Sequence, residues 1–208
     1  MALHSVDHRP IPTAHQCHGY GKAGMVPPCR RVGILGAGET AMGIAQSLLE
    51  ADIPVTVFDL ARDTLDQATA AARSDYQAAV SAGALTAAQR DRRVALLAAT
   101  INLHHLKDCD VIVDALHTDA DVKEGLFRRL NEVAKPGAVL MACTAHADAT
   151  DLGRTVALMR FPENGVGMRL SDGASKWELV PANRTSERTL ATAQWVVQNL
   201  ATSRAAVA

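Results

Sequence analysis

The sequence has no excess of charge of either sign: 21 Lys and Arg stand against 22 Asp and Glu in 208 residues, a formal net charge of −1. A nucleic acid or an anionic membrane surface calls for a basic face, so neither is an expected partner. No stretch is long and apolar enough to span a bilayer. The first 28 residues contain histidines, prolines and an arginine but no apolar run, which excludes a secretory signal and leaves the cytoplasm as the expected compartment. The four cysteines, Cys17, Cys29, Cys109 and Cys143, form no regular framework, so buried or free thiols are expected rather than a disulfide scaffold. No segment repeats at a solenoid period. Aromatic residues make up only 3% of the chain, which leaves Ala, Val and Leu to supply most of the buried surface, as suits helices packed on a parallel sheet.

What is present divides at about residue 29. Residues 1–28 are rich in Pro, Gly and His and lack apolar periodicity, so they read as a flexible leader before a domain over 29–208. His15-Gln16-Cys17-His18 is a single short cluster with no second ligand pair at finger-like spacing, and no metal site is expected. Short apolar runs predict strands at Arg31–Leu35, Pro54–Phe58, Thr100–Leu103, Val111–Ala115, Ala138–Ala142, Val166–Met168 and Glu178–Val180. Helical periodicity covers Thr40–Glu50, Arg62–Ala82, Asp121–Val133 and a stretch near Ala149–Leu158. Gly83 ends the long second helix, and Thr86-Ala87-Ala88-Gln89 has capping-box spacing that opens another helix to about Ala98. Ser186 caps a helix running to about Leu200, and Arg204–Val207 is a candidate last strand. Strands alternating with helices imply an α/β fold, a Rossmann-type doubly wound, mostly parallel sheet with helices on both faces.

Gly36-Ala37-Gly38-Glu39-Thr40-Ala41 lies between the first strand and the first helix. Gly36 permits a tight turn, Gly38 lets a pyrophosphate approach the backbone, and Ala41 lets helix and strand pack closely. Backbone N–H groups and the positive end of the helix dipole then face the phosphates. Asp59 ends the second strand about 20 residues further on, the separation at which a carboxylate accepts both hydroxyls of the adenosine ribose. A carboxylate repels a 2′-phosphate, so NAD is the expected cofactor, with Arg62 keeping NADP as a minor option. Leu60, Ala115, Leu116 and Lys123 complete the candidate cofactor contacts.

Val32-Gly33-Ile34-Leu35-Gly36-Ala37-Gly38, Gly43-Ile44-Ala45-Gln46 and Val57-Phe58-Asp59 resemble the opening of the NAD-binding domain of 3-hydroxyacyl-CoA dehydrogenases. The likeness continues through Ser81-Ala82-Gly83-Ala84-Leu85-Thr86, Asp110-Val111-Ile112-Val113-Asp114-Ala115, Val122-Lys123, Leu126-Phe127, Gly165-Val166-Gly167-Met168 and Glu178-Leu179-Val180. It runs from about residue 30 to the C-terminus. The resemblance implies NAD and a 3-hydroxyacyl-CoA as ligands, in fatty-acid metabolism. It also implies a histidine, polarised by a glutamate, that takes the hydroxyl proton while hydride leaves for the nicotinamide. A C-terminal helical domain that forms much of the family's dimer contact would begin where these residues end. A homodimer or a partner subunit is therefore expected to cover the face left open.

The catalytic positions depart from that pattern. By the resemblance the family's histidine falls on Arg169, its glutamate on Pro181, and the glutamate near the nicotinamide on Thr118. The lysine that contacts CoA falls on Ala84, and the family's Ser-Asn-Thr-Ser-Ser stretch is Ala142-Cys143-Thr144-Ala145-His146. Lys123 and Thr144 survive. A guanidinium stays protonated at neutral pH and cannot serve as the base. Candidate replacements are His117 and His146, which follow strand ends, with Asp119 or Asp172 to orient one of them; both histidines also read as exposed loop residues. Arg169 reads either as a bidentate binder of a carboxylate or phosphate or as a strand-end arginine paired at the surface. Three functions stay open: a dehydrogenase with an altered catalytic set, a catalytically silent NAD(H)-binding sensor or partner subunit, and an interaction protein with a vestigial pocket.

Overall fold

The computed structural model describes residues 29–143, 155–170 and 177–204. The leader with its His15–His18 cluster, Thr144, His146, Asp172, the first part of the helix expected near Ala149–Leu158 and residues 205–208 lie outside the described residues.

Among the described residues, seven strands form one sheet: β1 (Val32–Leu35), β2 (Val55–Phe58), β3 (Leu97–Thr100), β4 (Val111–Asp114), β5 (Val139–Cys143), β6 (Gly165–Leu170) and β7 (Trp177–Pro181). Their order is β3-β2-β1-β4-β5-β6-β7, with β1 to β6 parallel and β7 antiparallel to β6. The helices are α1 (Glu39–Glu50), α2 (Arg62–Ser81), α3 (Ala87–Ala95), α4 (Ala120–Val133) and α5 (Glu187–Arg204). Alternation along the strands separates two buried layers. Val32, Ile34, Val55, Val57, Val111, Val113 and Met141 point to one face, where Ile44, Leu48, Ala193 and Val196 of α1 and α5 cover them. Leu35, Phe58, Ile112 and Leu140 point to the other, under Leu126, Phe127 and Leu130 of α4 and Leu103 and Leu106. The strands are therefore apolar on both faces, which is why they read as continuous runs rather than as alternating ones.

Local signals set most of the boundaries. Thr86 Oγ1 accepts from the Gln89 backbone N–H, and Gln89 Oε1 accepts from the Thr86 backbone N–H at 2.9 Å, so the capping box forms as expected. Gly83 takes φ of +74° just past α2. The Ser186 hydroxyl accepts from Thr189 N at the start of α5.

Most boundaries lie within two residues of the expected ones, and the larger differences are at α3, β3 and the end of α5. Helix α3 ends at Ala95 rather than near Ala98, and β3 occupies Leu97–Thr100 rather than Thr100–Leu103. The alanines there favour helix, but pairing with Val55–Phe58 overrides that preference. Leu103–Leu106 instead forms a 3₁₀ turn capped by the Asn102 side chain. Arg204 closes α5 rather than opening a strand. On α4, Leu126, Phe127 and Leu130 are buried, whereas Val122, in the first turn, is exposed.

Asp110 anchors the entry to the sheet. Its carboxylate accepts from Arg30 N at 2.7 Å and Arg31 N at 3.2 Å, and Lys135 Nζ lies 2.6 Å away. Partial burial opposes ionisation, but the Lys135 ammonium and the two backbone N–H groups outweigh it and hold the carboxyl below its usual range. A carboxyl depressed in the folded state contributes stability above its unfolded pKa, about 3.9, and loses it as pH falls through the lower folded value. Asp110→Asn is expected to cost about 1–3 kcal/mol near neutrality. Denaturant melts should show that difference shrinking at pH below about 4.

Candidate functional site

The C-terminal ends of β1, β2 and β4 meet where the strand order reverses, the place at which open parallel sheets bind ligands. β1 leaves the sheet through Gly36, whose φ is +98°. A Cβ there would lie 2.9 Å from the Ala115 carbonyl oxygen and 3.0 Å from Leu116 Cα, so only glycine fits against the start of the β4–α4 connection. Gly38, the N-cap of α1, has open space where a Cβ would stand, and no side chain caps the helix. The first-turn N–H groups of α1 thus face an open space. Ala41 is fully buried beneath, as close packing of helix on strand requires, while Glu39 and Thr40 are exposed.

Asp59 turns toward this loop. Its Oδ2 accepts from Ala37 N at 2.8 Å and its Oδ1 from Ala61 N at 3.0 Å, and the residue is buried to 8% exposure. Two backbone N–H groups fix the carboxylate in place, and each oxygen keeps a further lone pair for an incoming hydroxyl. Leu60 beside it is an exposed large apolar residue, and Arg62 is exposed as the first residue of α2. The geometry fits a dinucleotide: a helix mouth free of side chains, a glycine-lined approach and an acid at sugar distance from the loop.

On the other side of β1, Ala115 N donates to Leu35 O, and Leu116 N donates to Asp114 Oδ1 at 3.3 Å. Lys123, on the first turn of α4, places Nζ 2.8 Å from Asp114 Oδ2. The sequence signal for Asp114 is a charged residue ending a buried strand, with a lysine in the first turn of the next helix. Cys143 closes β5 nearby. Burial, with the Asp114 charge adding to it, pushes its thiol up to about 11, so it is no nucleophile at neutral pH. Burial likewise raises Cys109 to about 11 and Cys29 to about 12.

Among the described residues, the catalytic candidates His117 and Arg169 lie on separate elements. Arg169 sits on β6 directly across from Glu178 of β7, and its Nη2 and Nε lie 3.0 and 3.2 Å from Glu178 Oε2. This is the paired, strand-end arginine of the two alternatives. Pro181 faces Val166, three positions along the same hairpin. His117 and Thr118 are exposed in the β4–α4 connection, and among the described residues His117 makes no hydrogen bond to Asp119. No group of three metal-ligating side chains occurs among the described residues.

Such a fold and mouth define a dinucleotide-binding Rossmann domain. Comparison with known proteins narrows the class: residues 31–207 match the model of the 3-hydroxyacyl-CoA dehydrogenase NAD-binding domain, and the chain belongs to that family, whose cofactor is NAD. A 3-hydroxybutyryl-CoA dehydrogenase of Mycobacterium tuberculosis is 31% identical over 157 residues, covering 75% of this chain and 54% of the relative. The crystal structure of M. tuberculosis FadB2 superposes with a TM-score of 0.73 at 29% identity, over 83% of this chain and 61% of that one. Ralstonia eutropha (S)-3-hydroxybutyryl-CoA dehydrogenase shares the fold, with a TM-score of 0.74 at 21% identity over 83% of this chain and 61% of that one. The chain spans little more than half the length of these relatives.

Gly36→Ala tests the contact on which the mouth is built. It forces a Cβ onto a backbone carbonyl at positive φ, and a loss of about 2–4 kcal/mol is expected in chemical denaturation. Gly38→Ala, with space to spare, should fold within about 1 kcal/mol of the parent.

Proposed function

We propose that this chain holds NAD(H) with the diphosphate on the N–H groups of the Gly36–Ala41 loop and the adenosine ribose on Asp59. In this reading Leu60 gives the adenine an apolar ledge, and Ala115, Leu116 and Lys123 line the nicotinamide half. The observation that carries it is the Asp59 carboxylate bonded to Ala37 N at the edge of an uncapped helix mouth. NAD is favoured over NADP because a 2′-phosphate would meet that buried carboxylate.

The second half of the proposal is that the chain does not itself run the family's base-catalysed oxidation of 3-hydroxyacyl-CoA. Support comes from Arg169, whose guanidinium stays protonated and already bonds Glu178, and from Pro181, which offers no carboxylate. Removing a general base costs two to four orders of magnitude in rate. The role this leaves is a silent NAD(H)-binding sensor, or a subunit whose partner or second copy supplies the proton acceptor. For the completed assembly an acyl thioester is the substrate class, by analogy with the 3-hydroxybutyryl-CoA dehydrogenases it resembles.

Titration of NADH fluorescence tests the first half. Micromolar binding is expected, weakened at least about tenfold by Asp59→Ala, and Asp59→Asn should narrow the preference for NADH over NADPH. No binding by the parent chain would overturn it. Turnover of 3-hydroxybutyryl-CoA with NAD is expected at least about a hundredfold below that of the M. tuberculosis relative. Comparable turnover, abolished by His117→Ala or His146→Ala, would instead establish a replaced base.

A further inference from the structure

The most deeply buried acid among the described residues is Asp114, at 1% exposure, as the last residue of β4. Its Oδ2 meets Lys123 Nζ at 2.8 Å, and Lys123 itself is 26% exposed. Lys123 N also donates to the Asp119 carbonyl in the first turn of α4. The ion pair therefore spans the connection from Ala115 to Asp119, and the first carbonyl of that connection is the one that excludes a side chain at Gly36. In register, Asp114 lies beside Leu35 of β1 and Ala142 of β5, just beyond the point where the strand order reverses.

A buried pair of this kind is a poor stabiliser. Desolvating both ions offsets most of their attraction, and two apolar residues of similar volume would hold strand to helix as well or better. Burial pushes the Asp114 carboxyl up; the Lys123 ammonium is the largest influence opposing it, followed by the Leu116 N–H and the nearby His117. Lys123 Nζ lies at ion-pair distance from Asp114 Oδ2 but off hydrogen-bond geometry, so at least two of its three N–H donors stay available. A free lysine would have to give up considerable rotamer entropy to present them, whereas one already held by a fixed carboxylate does not.

We propose that Asp114 is a positioning residue: it holds the Lys123 ammonium at the rim of the crevice, where the remaining N–H groups donate to oxygens of the nicotinamide half of the dinucleotide. The inference rests on the reading that NAD(H) occupies this crevice, and it assigns Asp114 no contact with the ligand. Its effect passes through Lys123 alone.

The experiment is a set of NADH and AMP titrations, with thermal melts, on the full chain and on Asp114→Asn, Lys123→Met and the double variant. AMP reports the adenosine side, which Asp114 does not touch. Lys123→Met and Asp114→Asn are each expected to weaken NADH about tenfold while leaving AMP unchanged. The double variant should be no weaker than Lys123→Met, because Asp114 has nothing left to position. If Asp114→Asn weakens NADH equally with and without Lys123, Asp114 acts on the fold and not through the lysine, and the proposal is overturned. It is overturned alone if the parent binds both ligands and Asp114→Asn binds NADH as the parent does. It falls together with the cofactor reading if the parent binds neither. The double variant buries no unpaired charge, so it serves if a single variant fails to fold; parental NADH affinity in it refutes the proposal.

Discussion

The bond from Ala37 N–H to the Asp59 carboxylate joins the ends of two neighbouring strands through one buried acid. Because Asp59 also accepts from Ala61, the turn after β1 and the turn into α2 are fixed relative to each other. Gly36 fixes the same turn from the other side by lying against Ala115. Three strand ends are thereby locked into one rim, and the start of α1 is held open above it. The remainder of the sheet and its helices serve to keep those ends in register, through parallel pairing of β1 with both β2 and β4.

The two halves of the rim differ in electrostatic character. On the β2 side a carboxylate is met by neutral backbone donors, so the local charge is negative and suited to sugar hydroxyls rather than to a further phosphate. On the β4 side an acid and a base compensate each other. Between them lies the uncapped start of α1, the positive end of a helix dipole. Further along the sheet charge is likewise matched, Arg169 with Glu178 across the β6–β7 pair. That pair clamps the hairpin, its two partners standing directly opposite in register.

Local chemistry made much of this legible. Apolar runs, the capping box at Thr86, the glycine after α2 and the glycine loop all act over a few residues, so their consequences can be read from a few letters. Asp59 was legible for a similar reason, since its distance from the glycines reflects one helix and one strand of ordinary length. The β3 boundary was not, because alanine carries no strand preference of its own and only the presence of β2 alongside recruits Leu97–Thr100. Nor could a sequence reading choose between the two fates of Arg169. That choice depends on which residue of β7 stands opposite, and a shift of one position in register would have put a different side chain there.

By itself the sequence determined the alternation of strands and helices, the place of the glycine turn after β1 and the residue types at Arg169 and Pro181, because each of these is carried by adjacent residues or by the residue type itself. Tertiary structure alone decided that Asp59 points into the turn, that Glu178 occupies Arg169, and that Asp114 lies buried against Lys123. All three are contacts between elements, made by strand register and helix placement, which depend on the packing of the whole sheet.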